Sequence, residues 1–363
     1  MTVRNTPQPC LDACAPTPIF LVDNQVYTWR HVLAFAEFQG QLAGLWQRTR
    51  DGLVASKYAE THDLPLTPED LQQAAEQLRY RLGLITADDT INWLADRDLN
   101  LDAFESYLWR NLVRQRLSEE QEELSLADTV TDREVAAELW SEALLGGDFA
   151  TLAKMLAEHA AVQDLKLVEP GERDTQIPAA EAAYARRRER LASETEARFL
   201  PAEPRDQIRM EAAYLAYVAV VASPDHCRRR LRAQRSRYVE IEYETAAFAS
   251  WDVASEAHMC VTLDGEPLST VAARAMCDYS SERRSLDELS GGLDDILLSA
   301  EPGEYLEPFE IASRPGYHIA RVIRKHSPSL DDTVVLERLR QRLTHEALEP
   351  YLEYRVTWLR WQP

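Results

Sequence analysis

Nothing in this chain is apolar for long enough to span a bilayer. Its longest hydrophobic stretches fall well short of the ~20 residues a transmembrane helix needs. Residues 1–18 are polar and proline-rich with no apolar core, so they do not read as a signal peptide. The expected location is therefore the cytoplasm. Cysteine is scarce, and its five copies, an odd number scattered along the chain, fit reduced thiols there. Cys10 and Cys14 could form half a zinc site, but no Cys or His pair follows nearby, so no metal and no other cofactor is expected. Positive charge is also short: 40 Lys and Arg against 61 Asp and Glu give a formal net charge of −21. A field of that sign repels nucleic acid and anionic membranes, so neither nucleic-acid binding nor membrane insertion is expected. It would favour basic peptide segments, with solubility as the blander reason for it. There is no P-loop, no dinucleotide-binding glycine pattern, no H-E-x-x-H and no G-x-S-x-G, so the common nucleotide-dependent, zinc-hydrolase and serine-hydrolase chemistries have no support.

What is present is helix. At 363 residues and 45% hydrophobic content the chain can build two or three domains with real cores. Residues 19–27 read as a β-hairpin turning at Asp23 and Asn24, and Thr28 caps a helix that starts at Trp29. A second helix carries Leu53, Val54 and Tyr58. Thr67 followed by Pro68, Glu69 and Asp70 is a strong helix start, with a Thr cap, Pro in the first turn and acids beside it. Further helices start near Thr86 and near Asn100 or Asp102. Residues 118–132 are an acidic connector. Thr131 and Glu134 form a capping box for a helix stopping at Gly146 and Gly147, and another runs on from Asp148. Residues 166–178 read as a loop around Pro170 and Gly171, followed by helices over 179–198 and 204–222. Gly40 and Gly147, and Tyr107 and Tyr214, are each 107 apart, which raises an internal repeat; chance similarity of amphipathic helices is the competing reading. The basic runs 186–190 and 228–232 could grip an acidic peptide, but solvated helix faces paired with nearby acids are the commoner case.

Residues 290–325 organise the C-terminal part. A short apolar helix over 293–299 runs into a turn at Glu301, Pro302, Gly303 and Glu304. A strand carrying Leu306, Phe309 and Ile311 follows, then a turn at Arg314, Pro315 and Gly316. The closing strand is 317–323, in which Tyr317, Ile319, Arg321 and Ile323 alternate with His318, Ala320 and Val322. This order of helix, Pro-Gly-Glu turn, strand and Gly-Tyr-His strand resembles the parvulin-type peptidyl-prolyl isomerase domain. The likeness extends over 237–327, with 237–248 as first strand, 253–276 as two helices turning at Asp264, Gly265 and Glu266, and Tyr279 and Ser280 ending the second helix. The wording at 66–70, 93–99 and 104–108 resembles the N-terminal helical domain of SurA-type chaperones, over about 19–117.

Together the two resemblances imply an α+β, predominantly helical fold. A tail spans 1–18, a SurA-like N-terminal helical domain 19–130, a helical middle 131–236 and a C-terminal parvulin-like domain 237–327. A C-terminal helix and tail, 328–363, fold back onto the helical part. In the SurA-type family the helical domain cradles extended, unfolded polypeptide. The parvulin family brings two histidines, a Cys or Asp, and an apolar proline pocket after a Gly-Gly-Asp-Leu-Gly strand.

Only part of that set is legible here. His318 matches the histidine of the last strand. The first strand has no histidine where the family keeps one, and Glu240, Glu242 and Glu244 alternate there instead. The Cys or Asp position falls near Ser281 or Glu282; Cys277 precedes it. The Gly-Gly-Asp-Leu-Gly strand is missing, because Gly291 and Gly292 lead straight into a helix. His258 and Met259 read as packing. The resemblance thus implies His318 as the one candidate catalytic residue and Tyr243, Tyr279, Ser280, Phe309 and Tyr317 as peptide contacts. The expected function is a peptide-binding, foldase-like chaperone with an eroded isomerase domain. Its partner would be an unfolded or extended client, such as a ribosomally made precursor peptide, along with modification or export enzymes. An active prolyl isomerase and a non-catalytic scaffold for a partner enzyme are the alternatives.

Overall fold

The computed structural model describes residues 17–62, 66–119, 130–191, 199–200, 203–289, 292–311 and 314–359. Cys10 and Cys14, most of the tail and most of the acidic connector lie outside these residues. The chain divides into two compact units, residues 1–219 with 347–363, and residues 220–346.

The first unit opens on the hairpin β1 (Pro18–Val22) and β2 (Gln25–Thr28), which runs directly into α1 (Trp29–Phe38). Next come α2 (Leu42–His62), α3 (Pro68–Arg81), α4 (Ala87–Asp96), α5 (Leu101–Glu119), α6 (Asp132–Gly146) and α7 (Asp148–Asp164). Threonines set three of these starts. Thr67, Thr86 and Thr131 each accept from the backbone N–H three residues on, while the side chain of that third residue accepts from the threonine's own N–H. Phe20, Trp29, Leu33, Phe38, Leu139, Phe149, Leu156 and Met210 enter one apolar core, so residues from both the 19–130 and 131–236 stretches share it.

Of the stretch expected to be a loop at 166–178, only 166–169 is non-helical. α8 runs Pro170–Leu191 with Pro178 inside it. Pro170 sits in the first turn, where the missing N–H would have no helical partner anyway. Beyond Pro178 the run Ala179, Ala180, Ala182, Ala183 and Ala185 has high helix propensity and carries the helix on. The expected extension to 198 lies outside the described residues. α9 (Arg205–Val221) completes this part of the chain.

A buried ion cluster ties α7, α8 and α9. Glu211 Oε2 lies 3.3 Å from His159 Nε2 and Oε1 3.0 Å from Arg187 Nη2, and Gln39 donates to the same carboxylate at 2.5 Å. Burial alone would raise the Glu211 pKa, but the His159 hydrogen bond and the charges of His159 and Arg187 reverse this and hold it at about 2, against 4.5 for a free glutamate. With the folded value below the unfolded one, Glu211 stabilises fully above about pH 4.5, and that contribution is lost as pH falls toward about 2. Its full size is about 3 kcal/mol. Urea unfolding should therefore show the native chain losing about 1 kcal/mol more than Glu211→Gln between about pH 4.5 and 3.5. Parallel pH profiles would remove this role.

The second unit starts with α10 (Pro224–Ala233), where Arg228 pairs with Asp225 and Arg230 with Glu346. After a 3₁₀ turn (Arg235–Tyr238) come β3 (Glu240–Phe248), α11 (Trp251–Thr262), α12 (Leu268–Arg274), β4 (Asp278–Ser285), α13 (Leu293–Ser299), β5 (Phe309–Ile311) and β6 (Arg314–His326). The strands form one antiparallel sheet in the order β4-β3-β6-β5. α13 packs on one face, with Leu293 and Leu297 against Ile241, Tyr243 and Val322. α11 and α12 pack on the other, against Ala246, Phe248 and Ile319.

Three expectations change here. Tyr279 and Ser280 do not end a helix, because α12 stops at Arg274 and both residues lie in β4. A strand that was not anticipated, β4, occupies 278–285, in the wording Asp-Tyr-Ser-Ser-Glu-Arg-Arg-Ser. As a sheet edge it pairs on one side only, and charged, polar residues suit such an edge; that is why no apolar alternation announced it. Arg314 and Gly316 belong to β6 rather than to a turn, and residues 312–313 lie outside the described set.

The last helix, α14 (Thr333–Arg355), continues from this unit into the first and gives way to β7 (Val356–Trp358). β7 pairs antiparallel with β1, Phe20 opposite Trp358 and Val22 opposite Val356, to make a second sheet in the order β2-β1-β7. The fold is thus α+β and predominantly helical, with two small antiparallel sheets. Among the described residues no helix is long and apolar enough to cross a membrane, and no group of three His, Cys, Asp or Glu is placed to hold a metal.

Candidate functional site

Strand register builds the site in the second unit. On β3, side chains alternate, so Tyr243, Thr245 and Ala247 share the α13 face. Their cross-strand neighbours on β4 are Glu282, Ser280 and Asp278, and on β6 Val322, Ala320 and His318. The end of this face beyond the α13 core is open. It forms a cavity of about 410 Å³ lined by Thr245, Ala247, Asp278, Tyr279, Ser280, Glu282 and His318. His318 is 2% exposed, and its ring lies 6.1 Å from that of Phe309, the residue opposite it on β5. Tyr243 donates to Glu282 Oε2 at 3.4 Å, and Arg284 Nε approaches the same oxygen at 2.5 Å. Thr245 is 5% exposed, and its Oγ1 has no hydrogen-bond partner among the described residues.

Of the residues singled out from sequence, this face brings together His318, Tyr243, Ser280 and Phe309. It does not collect the other two side chains. Tyr279 contributes to the wall, but its hydroxyl donates to Glu244 Oε2 at 2.9 Å on the opposite face. Burial and that carboxylate raise its pKa. Tyr317 also lies on the opposite face, its ring 5.7 Å from Trp251, and its hydrogen bond to Glu310 raises its pKa. Glu244 does not face the cavity. It is buried beneath α11 and α12 with Tyr305 donating at 3.1 Å and Arg321 at 2.8 Å. Thr245, Ala247 and Asp278 were not anticipated, although counting in twos from Tyr243 places Thr245 and Ala247. Cys277, beside the cavity wall, is no activated nucleophile, since burial and then the charge of Asp278 push its thiol pKa up.

The first unit holds a larger cavity of about 900 Å³. Its wall is mostly apolar, with Leu53, Leu71, Ala75, Leu101, Phe104, Leu108 and Trp109, and Glu60, Arg79, Arg110 and Glu138 among its polar groups. Ile91 and Leu101 line it while 49% and 50% exposed. Large apolar side chains left half in water along a concave wall are a common mark of a binding surface.

No protein-family model matches this chain, and no curated protein matches it. Among solved structures it is similar to the peptidylprolyl isomerase PrsA of Bacillus anthracis, at 15% identity and a TM-score of 0.28, covering 56% of this chain and 96% of that one. It is also similar to PrsA of Bacillus cereus, at 13% and 0.30 over 60% and 84% of the two chains. The foldase PrsA of Lactococcus lactis gives 12% and 0.28 over 58% and 84%. At these TM-scores the likeness transfers no residue role to this chain.

Proposed function

We propose that this protein is a peptide-binding chaperone of the foldase type, in which the helical unit holds an extended or unfolded segment and the sheet unit contributes a binding cavity rather than a catalyst. The apolar cavity of the helical unit carries the reading. A groove of that size and lining suits apolar side chains of a chain that has not folded, and Ile91 and Leu101 gain most by being covered. A prolyl isomerase needs an apolar ring pocket and a polar network beside the twisted amide. His318 beside Phe309 favours that alternative. Against it, Thr245, Asp278, Ser280 and Glu282 make the cavity polar, and among the described residues no second histidine lines it. In the narrower form of the proposal the client is a ribosomally made precursor peptide handled in the cytoplasm with a modification or export enzyme. The net charge of −21 would suit a basic client.

The test is suppression of aggregation of an unfolded client by the full-length protein, run beside a protease-coupled proline isomerisation assay. Suppression without turnover is expected. Ile91→Asp with Leu101→Asp should weaken client binding about tenfold or more, since each lost apolar contact is worth on the order of 1 kcal/mol and each new charge must be desolvated. Turnover that disappears in His318→Ala would make the protein an enzyme. Absence of both activities would leave the scaffold reading.

A further inference from the structure

We propose that the cavity on the sheet face admits a basic side chain, arginine or lysine, of the bound peptide, and so selects clients by positive charge rather than by proline. The inference rests on the peptide-binding reading and deepens it. Its grounds are the donors and acceptors present. Among the described residues lining the cavity, Thr245, Asp278, Ser280, Glu282 and His318 carry polar side-chain atoms, whereas Ala247 has none and the Tyr279 hydroxyl turns to the opposite face. Asp278, Ser280 and Glu282 stand at alternate positions of β4, so the strand pleat points all three to one face. The carboxylate of Asp278 makes no ion pair with any described residue.

Thr245 supplies the second, independent observation. Thr245 lies in register between Ser280 and Ala320 and lines the cavity, and its hydroxyl has no partner among the described residues. A buried hydroxyl in that condition is destabilising unless something arrives to bond it. A guanidinium carries five N–H donors and an ammonium three, and neither accepts. Such a group can give one hydrogen bond to Thr245 Oγ1, one to Ser280 Oγ and a charge-assisted one to Asp278. Glu282 is already held by Arg284 and Tyr243, which fixes the far wall rather than the ligand. A proline ring could use none of these groups and would strip them of water.

The experiment uses full-length protein and a set of short acetylated, amidated peptides that are identical except at one position. That position holds arginine, citrulline, lysine or proline. Citrulline keeps the shape of arginine and removes its charge. Titration should show the arginine peptide binding about tenfold tighter than the citrulline peptide, with a preference that shrinks as salt is added. Asp278→Asn and Thr245→Val should each reduce the preference several-fold. Thr245→Val replaces an unbonded buried hydroxyl by a methyl group, so it should fold at least as stably as the native chain, and lost binding cannot be blamed on unfolding. Equal binding of arginine and citrulline, tighter binding of proline, or an undiminished preference in Asp278→Asn would overturn the proposal. Aggregation suppression measured on the same samples separates the two readings. Suppression without a charge preference removes only this inference, whereas a charge preference without suppression removes only the chaperone reading.

Discussion

Gly316→Ala is expected to destabilise the second unit by about 3 kcal/mol or more, enough to lower its thermal midpoint by roughly 10 °C. Two effects add. Gly316 has φ of +98°, a backbone region that residues with a Cβ adopt only under strain. A Cβ built there would lie 2.7 Å from the carbonyl oxygen of Phe248. That oxygen cannot yield cheaply, because Phe248 is paired with Tyr317 at the end of the β3–β6 ladder and its ring is buried under α11. Gly303 provides the control. Its φ is +94°, but a Cβ there meets nothing within 4 Å. Gly303→Ala should therefore cost only the backbone term, about 1 kcal/mol. The measurement is thermal and urea unfolding of both variants beside the native protein. Equal losses at the two glycines would mean that the contact with Phe248 is not felt.

Gly316 also shows where the sequence misleads. Arg-Pro-Gly reads as a turn because Pro and Gly are turn residues by propensity, yet in the fold this glycine is required by a close backbone approach within a strand. What was legible were signals that act locally. The threonine caps at 67, 86 and 131, the hairpin at Asp23 and the alternation of His318 with Ile319 all depend on neighbours within a few residues. What was not legible depends on pairing across the chain. β4 has no apolar alternation because it is an edge, so no local signal marks it as a strand. Thr245 stood two residues from Tyr243, but its importance comes from Ser280 and Ala320 lying beside it, which only the register reveals. The long helix through Pro178 was hidden by a residue whose local rule is to break helices.

The glutamates of β3 make the same point, and they lead to the second large effect. Glu240, Glu242 and Glu244 read alike in the sequence, as an alternating acidic strand. The fold separates them. Glu240 is mostly buried between two arginines, Arg283 and Arg338, and the Glu242 side chain is 41% exposed and lies within 3.6 Å of His326, whereas Glu244 is only 6% exposed. Glu244 accepts from Tyr279 and Tyr305 and pairs with Arg321, whose guanidinium lies 4.7 Å over the Tyr305 ring. Arg321→Leu removes the one cation in that group among the described residues and leaves a buried carboxylate with two phenols. Arg321 is itself about a third exposed, so the expected loss is about 2 kcal/mol, below the usual scale for a fully buried pair, and comes from leaving the buried Glu244 carboxylate without its cation. Removing both charges should behave differently. In Glu244→Gln with Arg321→Leu the amide can still accept from Tyr279 or Tyr305, and no charge is left without its counterion. The double variant should then recover at least half of the loss, giving a coupling of more than about 1 kcal/mol between the two sites in a double-mutant cycle. Urea unfolding of the native chain, both single variants and the double variant measures it. Additive losses would mean that Arg321 matters for its packing on Tyr305 and not for its charge. Because Glu244 and Thr245 are adjacent on one strand and face opposite ways, the same cycle can be read on the peptide titration. A cluster that only holds β3 in place should change stability without changing the preference for arginine over citrulline.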